Sequence, residues 1–261
     1  LAVLKFGICE RKKGLLMDPK LYDEMLAMQT RHFWFKGRCQ ILRRLLNDAL
    51  PPSPQTNILD LGCGCGQNIS AFSADYCMEG LDYSDQAIEF CRTQGLTVHQ
   101  GLLPDMLPFN NRQFDACLFL DVLEHVDNDV AAVQSARLLL KSQGLLMATV
   151  PAYPSLFSGR DRFHGHKRRY TRATFKSLFP ENEWQIKKLT YFNTFLFPLS
   201  ATWRLLLKAM GQDKAAPDLH IPPEPFNSLL TAIFSAEKYF LPYFSFPFGL
   251  SLLVIAEKRE H

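Results

Sequence analysis

Residues able to do chemistry gather in four short stretches of this chain. The first reads Asp60-Leu61-Gly62-Cys63-Gly64-Cys65-Gly66 and runs on to Asn68. Glycines at alternate positions let a backbone turn sharply and let a ligand approach it with no Cβ in the way. A glycine-rich bend between strand and helix ordinarily takes a pyrophosphate at the helix N-terminus. Here Asp60 puts a carboxylate just ahead of the bend, where it repels phosphates and suits a ligand with a cationic amino group. The second stretch supplies Asp82-Tyr83, about twenty residues past the first glycine, the interval at which an acid meets ribose hydroxyls in a doubly wound sheet. The third is Asp121-Val122-Leu123-Glu124-His125, directly after an apolar run. The fourth is the basic segment His164-Gly165-His166-Lys167-Arg168-Arg169-Tyr170-Thr171. His125, His164 and His166 are candidates for accepting a hydroxyl proton near neutral pH. Arg168 and Arg169, with Tyr170 beside them, suit a phosphate or carboxylate on a substrate.

These stretches need elements to hold them, and the hydrophobic pattern supplies a regular α/β alternation. A short strand over 58–61 leads into the glycine bend, and Gln67 to Ser70 open a helix. A second strand ends at Asp82. Ser84 caps a helix to about Gln94, closed by Gly95. A third strand covers 96–100, a loop 101–111, and a near-continuous apolar run at 114–120 reads as a central parallel strand. A helix over 130–140 and a fifth strand over 145–150 follow. In an open α/β sheet, ligands lie beyond the carboxyl ends of the strands, so Asp60, Asp82 and Asp121 face one pocket. Residues 19–50 read as two helices. Between them Arg31 to Arg38, with Phe33, Trp34 and Phe35 in a row, forms either a plug onto the core or a lid over the pocket. Residues 184–192 and 249–257 are the last two strands. Residues 195–247 fall between them as two helical stretches near 195–210 and 226–241, joined by a proline-rich turn at 217–225.

Asp60-Leu-Gly62-Cys-Gly64-Cys-Gly66 resembles the first motif of class I S-adenosylmethionine (SAM)-dependent methyltransferases, and Leu81-Asp82 resembles the ribose-binding acid of their second strand. Asp121-x-Leu-Glu-His125 resembles the D-x-L-E-H motif of their small-molecule members. The resemblance implies a Rossmann-like seven-stranded α/β sheet whose last strand is antiparallel, here with N-terminal helices and a helical insert before that strand. It implies SAM as cofactor, a cationic sulfonium with an amino group and no phosphate. Arg38 would then meet the methionine carboxylate, and Asp121 and Val122 would lie by the amino and methyl end. Asp60, Gly62, Cys63, Gly64, Gly66, Asn68, Asp82 and Tyr83 would line the rest of the cofactor site. Gly101 is often followed in this fold by an adenine-binding Asp; Leu102 stands there instead, so Gly101 and Leu102 are expected only as pocket walls. The Trp-Phe-x-x-Arg38 prefix and the Gly165-to-Tyr170 run resemble one subgroup often associated with saccharide or lipid-linked substrates. The expected acceptor is therefore a small or lipid/saccharide-linked molecule, and Arg168, Arg169 and Tyr170 suggest an anionic one. The chain has no Asn/Asp-Pro-Pro-Tyr after the fourth strand and no Pro-Cys, which argues against a DNA-base acceptor. Its basic residues sit in one loop rather than across a face, so no nucleic-acid partner is expected. The rival activities are a nicotinamide-dependent oxidoreductase, opposed by Asp60, and a SAM-binding scaffold without chemistry.

The 261 residues and their 47% hydrophobic share suit one large domain or a domain with an elaboration, and a net charge of +3 points to no polyanionic partner. The expected division is a prefix and lid at 1–54, a cofactor-binding core at 55–192 with a substrate loop at 151–176, an insert at 193–248, and the last strand at 249–261. Seven cysteines form no CxxC pair and no Cys/His cluster with zinc spacing, so no metal is expected. Cys63, Cys65, Cys77 and Cys117 read as small apolar groups, reduced, and hence as cytoplasmic. Residues 1–16 carry too many charges for a secretory signal and read as an extension before Met17. Residues 239–256 are uncharged but broken by Pro242, Pro247 and Gly249, which argues against a span. The aromatic insert, with Phe195, Trp203, Phe226 and Tyr239, reads as core packing first, with a peripheral membrane contact as the alternative.

Overall fold

The computed structural model describes residues 28–211 and 221–260. The extension at 1–16, nearly all of the helix predicted from residue 19, and the start of the proline-rich turn lie outside the described residues.

Seven strands form one sheet: β1 (Ser53–Leu61), β2 (Tyr76–Asp82), β3 (Val98–Gln100), β4 (Phe114–Leu120), β5 (Leu140–Pro151), β6 (Trp184–Phe192) and β7 (Ser251–Lys258). Their spatial order is β3-β2-β1-β4-β5-β7-β6. The first five are parallel, and β7 runs antiparallel to both neighbours, with Met147 opposite Ile255 and Leu189 opposite Val254. This is the expected Rossmann-like α/β sheet with an antiparallel last strand. The order reverses at β1, so the gap beyond β1 and β4 is where a ligand can enter between diverging connections.

Alternation along the strands divides the core between the two faces of the sheet. Leu59, Leu61, Cys117, Phe119, Leu146 and Val254 pack on one side with Ala132, Val133, Phe175 and Trp184. Ile58, Ala116, Leu118, Met147, Leu253 and Ile255 pack on the other with Ile41, Leu42, Phe72 and Phe234. Each large side chain so buried contributes about 1.5–3 kcal/mol. The helices follow their capping signals. Ser84 Oγ accepts from Ala87 N at the start of α3 (Asp85–Thr93), and Asn128 does the same for Ala131 at the start of α4 (Asp129–Leu139). Thr171 caps α6 (Arg172–Lys176), as its position predicts.

The aromatic run differs from expectation. Phe33, Trp34 and Phe35 do not separate two helices; they open α1 (Phe33–Ala49), with His32 Nδ1 accepting from Trp34 N at 3.1 Å. The helix buries Gly37, Arg38, Ile41, Leu42, Leu45 and Leu46, so its core-facing stripe begins inside the aromatic segment. The insert forms α7 (Phe197–Ala209) and α8 (Phe226–Ser235), and α8 lies against α1. Asn227 ties the pair, accepting from Phe33 N and donating to Arg31 O, both at 2.9 Å. Gly37 makes the approach possible, since a Cβ there would lie 2.6 Å from Phe234 Cδ1. The uncharged 239–256 stretch is divided among a 3-10 turn (Ala236–Tyr239), tight turns and β7. Among the described residues no helix is long and apolar enough to cross a membrane. Cys63, Cys65 and Cys117 are buried as expected, but Cys77 is exposed on β2.

Candidate active site

The three acids stand together at the carboxyl edge of the sheet. Asp60 is the penultimate residue of β1, Asp82 the last of β2, and Asp121 follows β4. Between β1 and α2 (Gln67–Phe72), Gly62, Gly64 and Gly66 take φ values of 79°, 52° and 74°, the left-handed region open to glycine. Gly62 N and Cys63 N donate to Leu81 O at 2.8 and 3.0 Å, which draws the bend over the neighbouring strand. A Cβ on Gly62 would lie 2.8 Å from both Val122 methyls, so bare backbone meets Val122 there. Cys63 packs against Gly80 below the bend.

Asp60 is buried, with Asn68 Nδ2 donating to its Oδ2 at 3.3 Å. Burial pushes its carboxyl up to about 7, while Asn68 and the Arg38 guanidinium pull it down. Asp82 accepts Gly64 N on Oδ2 at 2.8 Å and Ser84 N on Oδ1 at 2.9 Å. Burial raises its carboxyl too, against those backbone donors and that of Tyr83. Both acids are therefore held where a cation or a hydroxyl would relieve their burial.

Asp121 adopts a left-handed φ of 62°, uncommon for a residue with a Cβ and a sign of imposed geometry. Its N donates to Thr149 O at 3.1 Å, its Oδ1 accepts Thr149 Oγ1 at 3.0 Å, and its Oδ2 pairs with Arg38 Nη2 at 2.8 Å. Arg38 sits near the Trp34 ring, and its buried Nε has no partner among the described residues. Arg38 is thus brought to the acids as expected, but its Nη2 is held by Asp121. Farther along the edge, Leu102 and Met106 exchange both backbone hydrogen bonds, at 2.9 and 2.8 Å. The Leu102 backbone is occupied, and its exposed side chain, with exposed Met106 and Tyr83, presents an apolar surface instead. Gly101 fits only without a side chain, since a Cβ would lie 2.4 Å from Met106 O.

The histidines form a second group behind Asp121. The His125 and His166 rings meet edge-on at 4.8 Å between centroids, and His164 lies 6.1 Å from His166. Burial and the nearby His166 lower His125 to about 4, so it is neutral at pH 7. His125 Nδ1 is buried without a partner among the described residues. His166 Nδ1 contacts Asp161 Oδ1 at 2.9 Å. Asp161 lies in α5 (Gly159–His164), where Ser158 N and Oγ both donate to its Oδ2 at 2.9 Å.

The basic residues are not free for a substrate anion. Arg169 forks onto Asp161, Nε to Oδ1 at 2.8 Å and Nη2 to Oδ2 at 3.0 Å, and donates to Ala152 O at 3.0 Å. Tyr170 is buried, its hydroxyl bound to Asp129 Oδ2 at 2.6 Å and Leu123 O at 3.2 Å. Arg168 pairs with Asp129 Oδ2 at 3.0 Å and donates to Asp127 O at 2.9 Å. Each cation found an acid of the same chain, which the charge pattern by itself does not reveal. The run is a scaffold: Tyr170 fastens it under β4, Lys167 N donates to Glu124 O, and Arg169 fixes the acid that orients His166. Sequence reasoning missed Asp161, Thr149 and Glu124 as site residues. Ser158-x-x-Asp161 is a capping-box signal that marks the first.

Residues 59–148 match the family described as "Methyltransferase domain". A Xenopus tropicalis tRNA (carboxymethyluridine(34)-5-O)-methyltransferase is 27% identical over 173 residues, 63% of this chain and 24% of that protein. A ubiquinone biosynthesis O-methyltransferase of Haemophilus ducreyi is 31% identical over 100 residues, 34% of this chain and 42% of that protein. The chain thus spans less than half the length of these relatives. The plantazolicin methyltransferase BpumL in complex with SAH superposes with a TM-score of 0.56 at 14% identity, over 94% of this chain and 92% of that one. Residues 59–148 therefore match a methyltransferase domain, and the sheet that holds them has the Rossmann-like class I strand order with its antiparallel last strand.

Proposed function

We propose that the protein transfers the methyl group of SAM to a hydroxyl oxygen of a small-molecule or lipid/saccharide-linked acceptor. The observation that carries this is the adjacency of two groups: the glycine bend held between Asp60 and Asp82, and the His125–His166 pair behind Asp121. In this reading Asp60 faces the ammonium of SAM, Asp82 the ribose, and Tyr83, Leu102 and Met106 the adenine. Arg38, with its unpartnered Nε, meets the methionine carboxylate while bridging to Asp121. SAM is already activated, so the protein mainly aligns an acceptor oxygen in line with the methyl carbon and the sulfur. Alignment of that kind supplies about 7–11 kcal/mol in favourable cases. The oxygen lone pair forms the new C–O bond, the C–S bond breaks, its electron pair stays on sulfur, and the acceptor proton leaves. His166 is the better placed base, because Asp161 at Nδ1 fixes the tautomer that leaves a lone pair on Nε2.

The anionic character expected of the acceptor loses its support, since Arg168 and Arg169 have internal partners. A lipid-linked acceptor gains some. The insert carries exposed apolar side chains, among them Leu199, Trp203 and Met210 in its first part and Phe226, Tyr243 and Phe244 in its second, and α8 of that second part packs on the helix that carries Arg38. Such side chains suit peripheral contact with an apolar surface. The first relative acts, by its name, on a tRNA, so RNA belongs among the candidates to be tested.

The test uses SAM labelled in its methyl group against panels of hydroxylated small molecules, lipid-linked saccharides and RNA. The expected result is label in a small or lipid-linked hydroxyl compound, with His166→Gln slowing transfer about 10²–10⁴-fold and leaving SAM affinity unchanged. Label only in RNA, or transfer indifferent to His166, would overturn the assignment.

A further inference from the structure

We propose that Glu124, His125 and His166 bind one divalent metal ion of the Zn²⁺ or Mn²⁺ type at the acceptor end of the pocket. One ligand atom from each, all within 4.8 Å of one another, forms a mixed oxygen–nitrogen set. Ligands at 2.0–2.2 Å stand at most about 4.4 Å apart across an ion, so small side-chain rotations would close the set. The spacing in sequence does not show this set, because His166 joins it only when the 159–170 segment folds back under β4.

Glu124 is the second observation. Its side chain is fully buried, and neither carboxylate oxygen has a hydrogen-bond partner among the described residues. A buried carboxyl without donors is costly unless it is protonated or meets a cation. The nearby cations are engaged elsewhere, Arg38 with Asp121 and Arg169 with Asp161.

Both imidazoles are poised as ligands. His166 contacts Asp161 through Nδ1, so Nε2 is the nitrogen open to an ion among the described residues, and Arg169 and Ser158 lock that acid in turn. A carboxylate behind a histidine is the support that metal-ligating histidines almost always have. His125 Nδ1 is buried and without a partner among the described residues. Two imidazoles and one carboxylate suit a transition-type ion better than Mg²⁺ or Ca²⁺.

Three protein ligands leave positions open on the ion. On the reading given under Proposed function, the acceptor hydroxyl would take one of them. His166 Nε2 would then hold the ion in place of accepting the proton, which would leave to solvent, and the oxygen would attack the methyl carbon as an anion while the C–S bond breaks onto sulfur. The acceptor class narrows accordingly to hydroxyl compounds able to coordinate a metal.

The experiment titrates the chelator-stripped full chain with Zn²⁺ by calorimetry and with Mn²⁺ by electron paramagnetic resonance, without SAM. The expected result is one ion per chain, with affinity falling at least 10-fold in Glu124→Gln and in His166→Gln. Asp161→Asn, which is not a ligand, should weaken binding about 10–100-fold. Thermal melting and SAH affinity of each variant report on folding; if Glu124→Gln unfolds, the partly exposed His166→Gln decides. Absence of stoichiometric ion uptake by folded wild-type protein, or uptake unchanged in these variants, would overturn the proposal. SAM binding by metal-free protein would leave the methyltransferase assignment standing in that event. Metal uptake without any SAM binding would uphold the ion site and remove the assigned reaction.

Discussion

Asp60 carries the most specific expectation at the scale of single residues. An unfolded aspartate titrates near 4, whereas burial holds this one at about 7 in the fold. Between those values the folded chain keeps a proton that the unfolded chain has released, so stability falls as pH rises through that window. A cationic ligand needs the ionised form. SAM affinity is therefore expected to rise about tenfold per unit from pH 5 toward 7 and then level off, and Asp60→Asn should flatten the profile. Calorimetric titration across pH 5–8.5 checks this. Gly62→Ala is expected to lose about 1–2 kcal/mol from its left-handed backbone and more from contact with Val122, as read by urea denaturation. These residues were legible in the sequence because a glycine bend and a leading acid are local features. Arg169 and Tyr170 were not. Their types declare a need for partners, but Asp161 and Asp129 reach them only through the fold.

Elements carry the next layer. Gly37→Ala would set a Cβ 2.6 Å from Phe234 Cδ1, at the point where α1 meets α8. The expected loss is about 1–3 kcal/mol, with faster hydrogen exchange in α8 than in the sheet. Tyr170→Phe would leave the Asp129 carboxylate and Leu123 O without that hydroxyl, for an expected loss of about 1–3 kcal/mol, checked by thermal melting. Strands β4 and β6 were read from the sequence at their observed limits; β4 is a near-continuous apolar run, the mark of a strand buried on both faces, whereas β6 is apolar at Trp184, Ile186 and Leu189 with exposed polar residues between them. The starts of β1 and β5 were not, since Ser53 to Thr56 and Lys141 to Gln143 are polar or exposed and lack such a run. The opening of α1 was hidden for a related reason. Three adjacent aromatics show no helical period, yet Gly37, Arg38 and Ile41 beyond them set the buried stripe.

At the scale of the whole molecule, the insert and the prefix act on one face of the sheet. Glu237 joins the insert to the end of β6, accepting Asn193 N, Thr194 N and Phe195 N at 2.8, 2.6 and 2.9 Å. Glu237→Ala would strand three backbone donors and is expected to destabilise the chain by about 2–4 kcal/mol, measured by chemical denaturation. The sheet order was implied by a family resemblance rather than by composition, and strand pairing bears it out. The packing of α8 on α1 was not legible, because nothing in either helix names its partner; only Asn227 and Gly37, seen together, do. The central claim is that the glycine bend between Asp60 and Asp82 is a SAM site. Its most direct test is calorimetric titration of the full chain with SAM, SAH and NADH side by side. The account predicts one SAM or SAH per chain, lost in Asp60→Ala, and no heat with NADH. Saturation by NADH, or no SAM binding at about 1 mM, would contradict it.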